Sequence, residues 1–461
     1  MRRTAAILAA VSPVLMCSPA LLPQQVNEPE ETTGESSAIA PLTGATLFAP
    51  GGTGLRNASF VLPSIEFTGY GNTVPGDLTK ITTTDVGVAS LALQSVGRHD
   101  QVNLDLSGGG FYYNTSPATS GTRGPARSGG FGEASFLPSF SGRRWKLLAG
   151  DAATYLPESA NAFYGFGGLT SFASGLGSGY YTTGTGLNPT LAPSQAILTG
   201  LARRVGNVAL TEVQYAAGER SLLSATGTYG ILHFLDSGYI DNQIWSVMAG
   251  YSHLVSRRSE IGLSYTQTSF RYGSLSPQQL FRGLALSYGY RLSGKLAFQM
   301  SGGFGGSEVT LPPARGVTKS FVSTFDSLLY QSKKAQVQLS FARYLSGGSG
   351  VLVGAETDWA GLDLGRSLSR RTSGSLNAGY QRNQPLRQEG GASAQFKSDY
   401  WQAGGNLNYE MSRNVSMYLN YDFQRQLSTT QLCVYGECGT DIYRHVLGLG
   451  LNLHARPVKL E

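Results

Sequence analysis

The chain has 461 residues, of which 14% are charged, with 61 Gly, 24 Tyr and a mean hydropathy of -0.11. Such a composition is poor in helix formers and rich in strand and turn residues, and no stretch approaches the roughly 18 consecutive apolar residues of a spanning helix. A helical membrane bundle is therefore excluded, and insertion into lipid would require strands closed into a barrel, the other fold that satisfies every backbone group there. The formal charge of +6 falls to +4 without Arg2 and Arg3. It suits either an anionic partner or Arg and Lys gathered at short turns facing water and headgroups. No nucleic-acid partner is expected.

The N-terminus, residues 1–20, reads as a secretory signal peptide: Arg2 and Arg3, an apolar run from Ala5 to Met16, then Ser18-Pro19-Ala20 as a small-x-small cleavage site. Met16 stands where a lipobox preceding Cys17 would need a small residue. Residues 21–60 combine Gln, Glu, Thr, Ser, Gly and Pro with little periodicity, which predicts a disordered periplasmic lead. From 61 to 461 the chain reads as one domain of alternating strands.

The first strand is expected at Ser64 to Gly71. Asp85 to Gln94 and Val102 to Tyr113 follow, joined by a turn from Ser95 to Asp100; Val102, Leu104 and Leu106 oppose Asn103, Asp105 and Ser107. Gly129 to Phe140 and Trp145 to Asp151 pair around Ser141-Gly142-Arg143-Arg144, and Arg203 to Asn207 reads as another turn. From Gln243 to His454 a Ser-basic turn recurs: Ser256-Arg257-Arg258, Ser293-Gly294-Lys295, Ser332-Lys333-Lys334, Ser369-Arg370-Arg371 and Ser412-Arg413-Asn414. About eight turns on one side, with both barrel ends periplasmic, predict about 18 antiparallel strands, within a range of roughly 16 to 20. Leu222 to Leu235 is open between a further strand pair and a structured outer loop.

Between Tyr155 and about Ser194 the alternation stops. This stretch holds Phe163, Tyr164, Phe166, Phe172, Tyr180 and Tyr181 among frequent Gly. A loop of that length is functional or disordered as a rule. Three readings stand: a self-packed cap, a constriction of the pore, and a surface on which rings stack against saccharide.

The last strands are the plainest. Trp401, Ala403, Leu407 and Tyr409 oppose Gln402, Asn406, Asn408 and Glu410; Val415, Met417, Leu419 and Tyr421 oppose Ser416, Asn420 and Asp422. The closing strand sets Tyr443, His445, Leu447, Leu449, Leu451 and Leu453 against Arg444, Gly448, Gly450 and Asn452. A soluble sandwich turns its bulky face inward, whereas a barrel in lipid turns it outward and keeps small polar residues inside. Between the last strands, Cys433 and Cys438 flank Gly436 in an outer loop, and two cysteines so placed in an exported chain predict a disulfide.

The signal peptide, the Ser-Arg turns and the terminal amphipathic strand together resemble the outer-membrane porin-like β-barrels of Gram-negative bacteria, over essentially Val61 to His454. Such barrels usually end on an aromatic residue that the barrel assembly machinery reads; here the chain continues from His454 to Glu461. In size, strand number and aromatic outer loop it also resembles barrels encoded with exopolysaccharide export systems. The resemblance implies outer-membrane lipid and the assembly machinery as partners.

The function expected is passage. A barrel of this width encloses an aqueous channel, and inward positions include Gln402, Asn406 and Asp422 with Arg291 and Arg444. Inward Arg would concentrate anions and guide polar or anionic solutes, exopolysaccharide among the candidates; its other reading is as a partner for inward acids such as Asp105 or Asp422. A closed structural or adhesion barrel is the alternative. No catalytic residue, cofactor or metal site is read: the five His share no motif, no G-x-S-x-G is present, and Asp151, Glu158, Glu212, Asp326, Glu356 and Asp358, placed at outer rims, show no pairing in sequence. The oligomeric state is left open.

Overall fold

The computed structural model describes residues 59–74, 77–113, 128–156, 182–183, 186–187, 203–235, 240–273, 278–311, 314–332, 334–346, 354–385, 397–434 and 437–459. The signal peptide and nearly all of the lead lie outside the described residues. Five strands open the fold: β1 (Phe60–Val74), β2 (Asp77–Val96), β3 (Asp100–Tyr113), β4 (Ser128–Ser141) and β5 (Trp145–Leu156). A two-residue pair, β6 (Thr182–Thr183) and β7 (Gly186–Leu187), stands apart. Next come β8 (Arg204–Ala216), β9 (Ser221–Phe234), β10 (Asn242–Leu254), β11 (Ser259–Tyr272), β12 (Gln278–Arg291) and β13 (Leu296–Leu311). The wall continues through β14 (Ala314–Gln331), β15 (Ala335–Ser346), β16 (Ala355–Ser367), β17 (Thr372–Pro385), β18 (Ser398–Glu410), β19 (Val415–Val434) and β20 (Glu437–His454). A short β21 (Val458–Lys459) ends the described chain.

Each wall strand pairs antiparallel with the next, and β1 pairs with β20, Ser64 opposite His454 through Asn72 opposite Val446. The result is a closed barrel of 18 strands, β1 to β5 and β8 to β20. The residues after Leu453 continue the same ladder: Ala455 N donates to Pro63 O at 3.0 Å, and β21 sets Val458 opposite Val61. The tail thus lengthens the closing strand.

The Ser of each basic turn has a specific task. Ser256 Oγ accepts from the Arg258 and Ser259 N–H groups at 3.1 Å each, and Ser369 Oγ accepts from Arg371 at 3.1 Å and Thr372 at 3.0 Å. Ser293 does the same for Lys295 and Leu296. A short hydroxyl side chain that folds back on its own backbone nucleates the turn, leaving the basic neighbours in water. One expected turn is misplaced: Arg204 to Asn207 begins β8, and the reversal falls at 217–220, where Ala217 N donates to Ser221 O at 3.0 Å. No Ser-Arg-Arg marks that turn, which is why Leu222 to Leu235 looked ambiguous. It is the single strand β9, and the count of 18 holds.

Outside the barrel, the bulky residues are the exposed ones: Leu284, Leu286 and Tyr288 on β12, Met300 and Phe304 on β13, Leu451 and Leu453 on β20. β5 shows the vertical plan, with Trp145 toward its turn end and Tyr155 toward its loop end. About ten residue steps of ~3.3 Å, tilted by about 40°, span roughly the 25 Å of an apolar belt between two aromatic girdles. A closed antiparallel barrel with this exterior is an outer-membrane protein.

Candidate functional site

The candidate site is the interior. Because side chains alternate, every second residue of each strand faces it, and the phase is fixed by the exposed outer residues. Arg291 on β12, Gln402 and Asn406 on β18, Asp422 on β19 and Arg444 on β20, the residues expected to line a pore, alternate with lipid-facing Leu, Tyr and Trp. Their environments differ sharply.

Arg444 is 0% exposed, and its Nη2 donates to Asn72 Oδ1 on β1 at 3.4 Å. Its charge acts on Asp422 and on Tyr400, which is itself fully buried. Gln424 stands opposite it in register and donates to Asp422 at 2.6 Å. Arg444 is thus embedded in the wall beside an acid. Gly404 makes room for this group: a Cβ there would stand 2.6 Å from Asn377 Oδ1 and 3.0 Å from Asp422 Oδ1. Gln402 lies across Gly379 in the same manner. Small residues on the inner face are therefore seats for neighbouring polar side chains.

One staple across the closing seam is invisible to pair-by-pair reading. Tyr418 of β19 reaches over β20 to β1, where its hydroxyl donates to Glu66 and meets Thr68 Oγ1 at 2.9 Å. Gly450 lies directly beneath the ring, and any Cβ there would collide with Tyr418 and Thr68. Asn452 Nδ2 adds a bond to Glu66 at 3.4 Å. Tyr418 has the phase of Ser416 and Asn420, and that phase was the available signal for an inward aromatic residue.

The interior is also less uniformly polar than expected. Tyr70, Val86, Val88, Phe111, Tyr113, Tyr418 and Val446 form a buried cluster on the inner face around the seam. Across the barrel, Phe325, Ala342 and Tyr344 pack with Trp359, and Phe281 with Phe321 and Leu345. Toward the loop end a buried polar chain links four strands: Ser346 to Thr357 at 3.0 Å, Thr357 to Asn383 at 3.0 Å, and Asn383 to Ser398 at 3.4 Å. Nearer the turns the inner wall is open along β3, β5, β16 and β17, where Asp105, Lys146, Asp363, Ser375 and Asn377 are exposed while facing inward, whereas along β8 to β14 Glu212, Ser252, Glu260, Gln299 and Leu329 stay buried. Apolar and hydrogen-bonded packing thus fills the loop half, and accessible polar groups of both charge signs line one side of the turn half.

At the loop end the structure supplies ion pairs that the sequence did not show. Glu356, 10% exposed at its side chain, pairs with Arg343 and with Lys319 at 2.8 Å, and Arg343 lies 3.6 Å from Asp358. Of the acids expected at outer rims, Glu356 and Asp358 are near the loop end. Asp151 and Asp326 are instead outward residues within the belt, and Glu212 is buried on the inner face near the turns, where Gln214 bonds it at 2.6 Å. Their odd or even phase carried that distinction. Glu158 lies outside the described residues. Among the described residues no cluster of His, Cys, Asp and Glu could hold a metal ion.

Phe163, Tyr164, Phe166, Phe172, Tyr180 and Tyr181 lie outside the described residues. Cys433 and Cys438 stand opposite each other in the β19–β20 register, and their side chains, hence the expected disulfide, lie outside the described residues.

No family model and no curated protein matches the chain. Several solved structures are similar in fold. OpdK of Pseudomonas aeruginosa with vanillate has 10% identity and a TM-score of 0.43, covering 86% of this chain and 99% of that one. OccAB4 of Acinetobacter baumannii has 9% identity and 0.44, covering 87% and 98%. OccK2 (OpdF) of Pseudomonas aeruginosa in complex with glucuronate has 11% identity and 0.43, covering 88% and 98%. Likenesses of this degree assign no solute to this chain.

Proposed function

We propose that the chain is an outer-membrane channel for small polar solutes, anionic ones included. One observation carries this reading: inward-facing polar side chains in the turn half, Asp105, Lys146, Asp363, Ser375 and Asn377, are accessible within a closed barrel. A barrel whose interior served only as a core would bury them, because unpaired polar groups in a packed interior are costly. Both charge signs occur there, which suits polar solutes generally, while Arg444 acts through Asp422 as part of the wall. Aromatic packing toward the loop end favours small solutes over a polymer, so export of an exopolysaccharide chain is not part of the proposal. The second reading, a closed structural barrel, draws on the same packing and on the full burial of Arg444.

Proteoliposome swelling separates the two readings. Monosaccharides and their acids should enter, at rates that fall steeply with solute length. Liposomes that hold folded barrel yet admit no monosaccharide would establish the closed reading.

A further inference from the structure

Five consecutive hairpins, β10–β11, β12–β13, β14–β15, β16–β17 and β18–β19, present one chemistry at the turn end of the barrel. Their turns carry Arg257 and Arg258, Lys295, Lys334, Arg370 and Arg371, and Arg413, all exposed. Among the described residues none of these cations forms an ion pair, and no acid stands in the turns themselves. The nearest acids along the chain, Glu260 and Glu410, follow the inward phase of their strands, and Glu260 is buried. Elsewhere on the rim Arg98 shares its turn with Asp100 and Arg220 with Glu219, while Arg143 and Arg144 repeat the cationic form. At the loop end, by contrast, Arg382 and Arg425 each hold a carboxylate at 2.7 Å. Unmatched positive charge thus gathers along an arc of the turn rim.

The second feature of the arc is apolar. In four of the five turns the residue just before the capping Ser is Val255, Leu292, Leu368 or Met411, exposed by 53, 45, 57 and 51%. Each continues the lipid-facing phase of its strand, in step with Tyr251, Tyr288, Leu362 and Tyr409 respectively. The apolar tips therefore lie on the lipid side, just beyond the turn-side girdle of Tyr251, Tyr288, Tyr330 and Tyr409. A turn standing clear in water would gain nothing from such a tip. At the bilayer interface the tip reaches acyl chains while the cation beside it stays at headgroup level. Zwitterionic headgroups bring their own cation, so an arc with excess positive charge favours a headgroup of net negative charge.

We propose that the arc from the β10–β11 turn to the β18–β19 turn is a docking surface for anionic glycerophospholipid in the periplasmic leaflet. Phosphate oxygens accept from the Arg and Lys side chains, and acyl chains lie along Val255, Leu292, Leu368 and Met411. The Ser caps hold the cations in position: Ser256, Ser369 and Ser412 Oγ accept from the N–H groups of Arg258 at 3.1 Å, Arg371 at 3.1 Å and Asn414 at 3.3 Å, which fixes the backbone that carries each charge. Docking here does not depend on the channel reading, since it needs no conducting lumen.

The test uses the folded chain in phosphatidylcholine nanodiscs with spin-labelled phosphatidylglycerol or spin-labelled phosphatidylcholine, read as the motionally restricted fraction by electron paramagnetic resonance. The parent should retain the phosphatidylglycerol label at least about threefold over the phosphatidylcholine label, by a ratio that falls as salt is added. Arg257, Arg258, Arg370 and Arg371 are then replaced together, by Gln in one variant and by Lys in another, each first shown to keep the heat-resistant barrel on gels. The Gln variant should fall toward equal retention of the two lipids, and the Lys variant, with its charge intact, should keep the preference. Phosphatidylcholine retention should be the same in all three proteins. Equal retention of both lipids by the parent would overturn the proposal and leave the cations to a soluble anionic partner. A preference that survives in the Gln variant, or is lost equally in the Lys variant, would overturn it as well.

Discussion

Single side chains decide how the seam is held. Tyr418 spans β20 to bond Glu66 and Thr68, and Gly450 is what lets the ring lie there. Tyr418→Phe keeps the ring and removes the donor, leaving Glu66 short of a buried partner, which should cost about 1–3 kcal/mol. Gly450→Val should cost more, because the added carbons have no space. Urea unfolding of the refolded barrel, followed by tryptophan fluorescence, checks both through the shift in midpoint. Arg444 and Asn377 give a sharper contrast. Arg444→Leu leaves Asp422 without its cation and should destabilise by about 3 kcal/mol while changing ion selectivity little. Asn377→Arg adds a cation to an accessible position and should move the reversal potential toward anion preference at nearly unchanged stability. A selectivity change in the first and none in the second would mean that the accessible lumen has been placed on the wrong residues.

Elements were legible where local chemistry repeats. The Ser hydroxyls cap their own turns, so turn and strand boundaries could be read from Ser-Arg spacing alone. Ser369→Ala should lower stability by roughly 0.5–1 kcal/mol, one turn-capping interaction, without altering the fold; the urea midpoint again reports it. The reversal at 217–220 lacks that signature, and the strand pair around it could be recovered only from alternation. Strand phase likewise sets Gln402, Asn406, Asp422 and Arg444 opposite the lipid-facing residues of their strands. Their accessibility was not legible, because burial of Arg444 depends on Asn72, Tyr400 and Asp422 from three other strands. The packing of Leu345 on Phe281 and Phe321 escaped for the same reason: the three come from three strands, and none breaks its own strand's pattern in sequence.

At the scale of the whole molecule, one alternating pattern serves two solvents. The outward phase supplies Leu, Phe, Met and girdle aromatics to lipid, and the inward phase supplies polar groups near the turns and mixed aromatic packing toward the loops. Closure through β1 and β20, extended by β21, leaves no sheet edge at the seam, the arrangement a membrane demands of strands. Removing 455–461 deletes the β21 pairing and the Ala455 bond to Pro63. The truncated chain should still form the barrel, with refolding into lipid slowed severalfold at the strand that must close last. Time-resolved gel shift would show this, and an unchanged rate would assign the tail no part in closure.

The most direct test of the channel account is single-channel current from the folded chain in a planar bilayer, recorded for the parent and for Asn377→Arg. The account predicts discrete steps in the parent and a lower, more anion-selective step in the variant. Silence from protein shown to be folded and inserted would contradict it and leave a closed barrel.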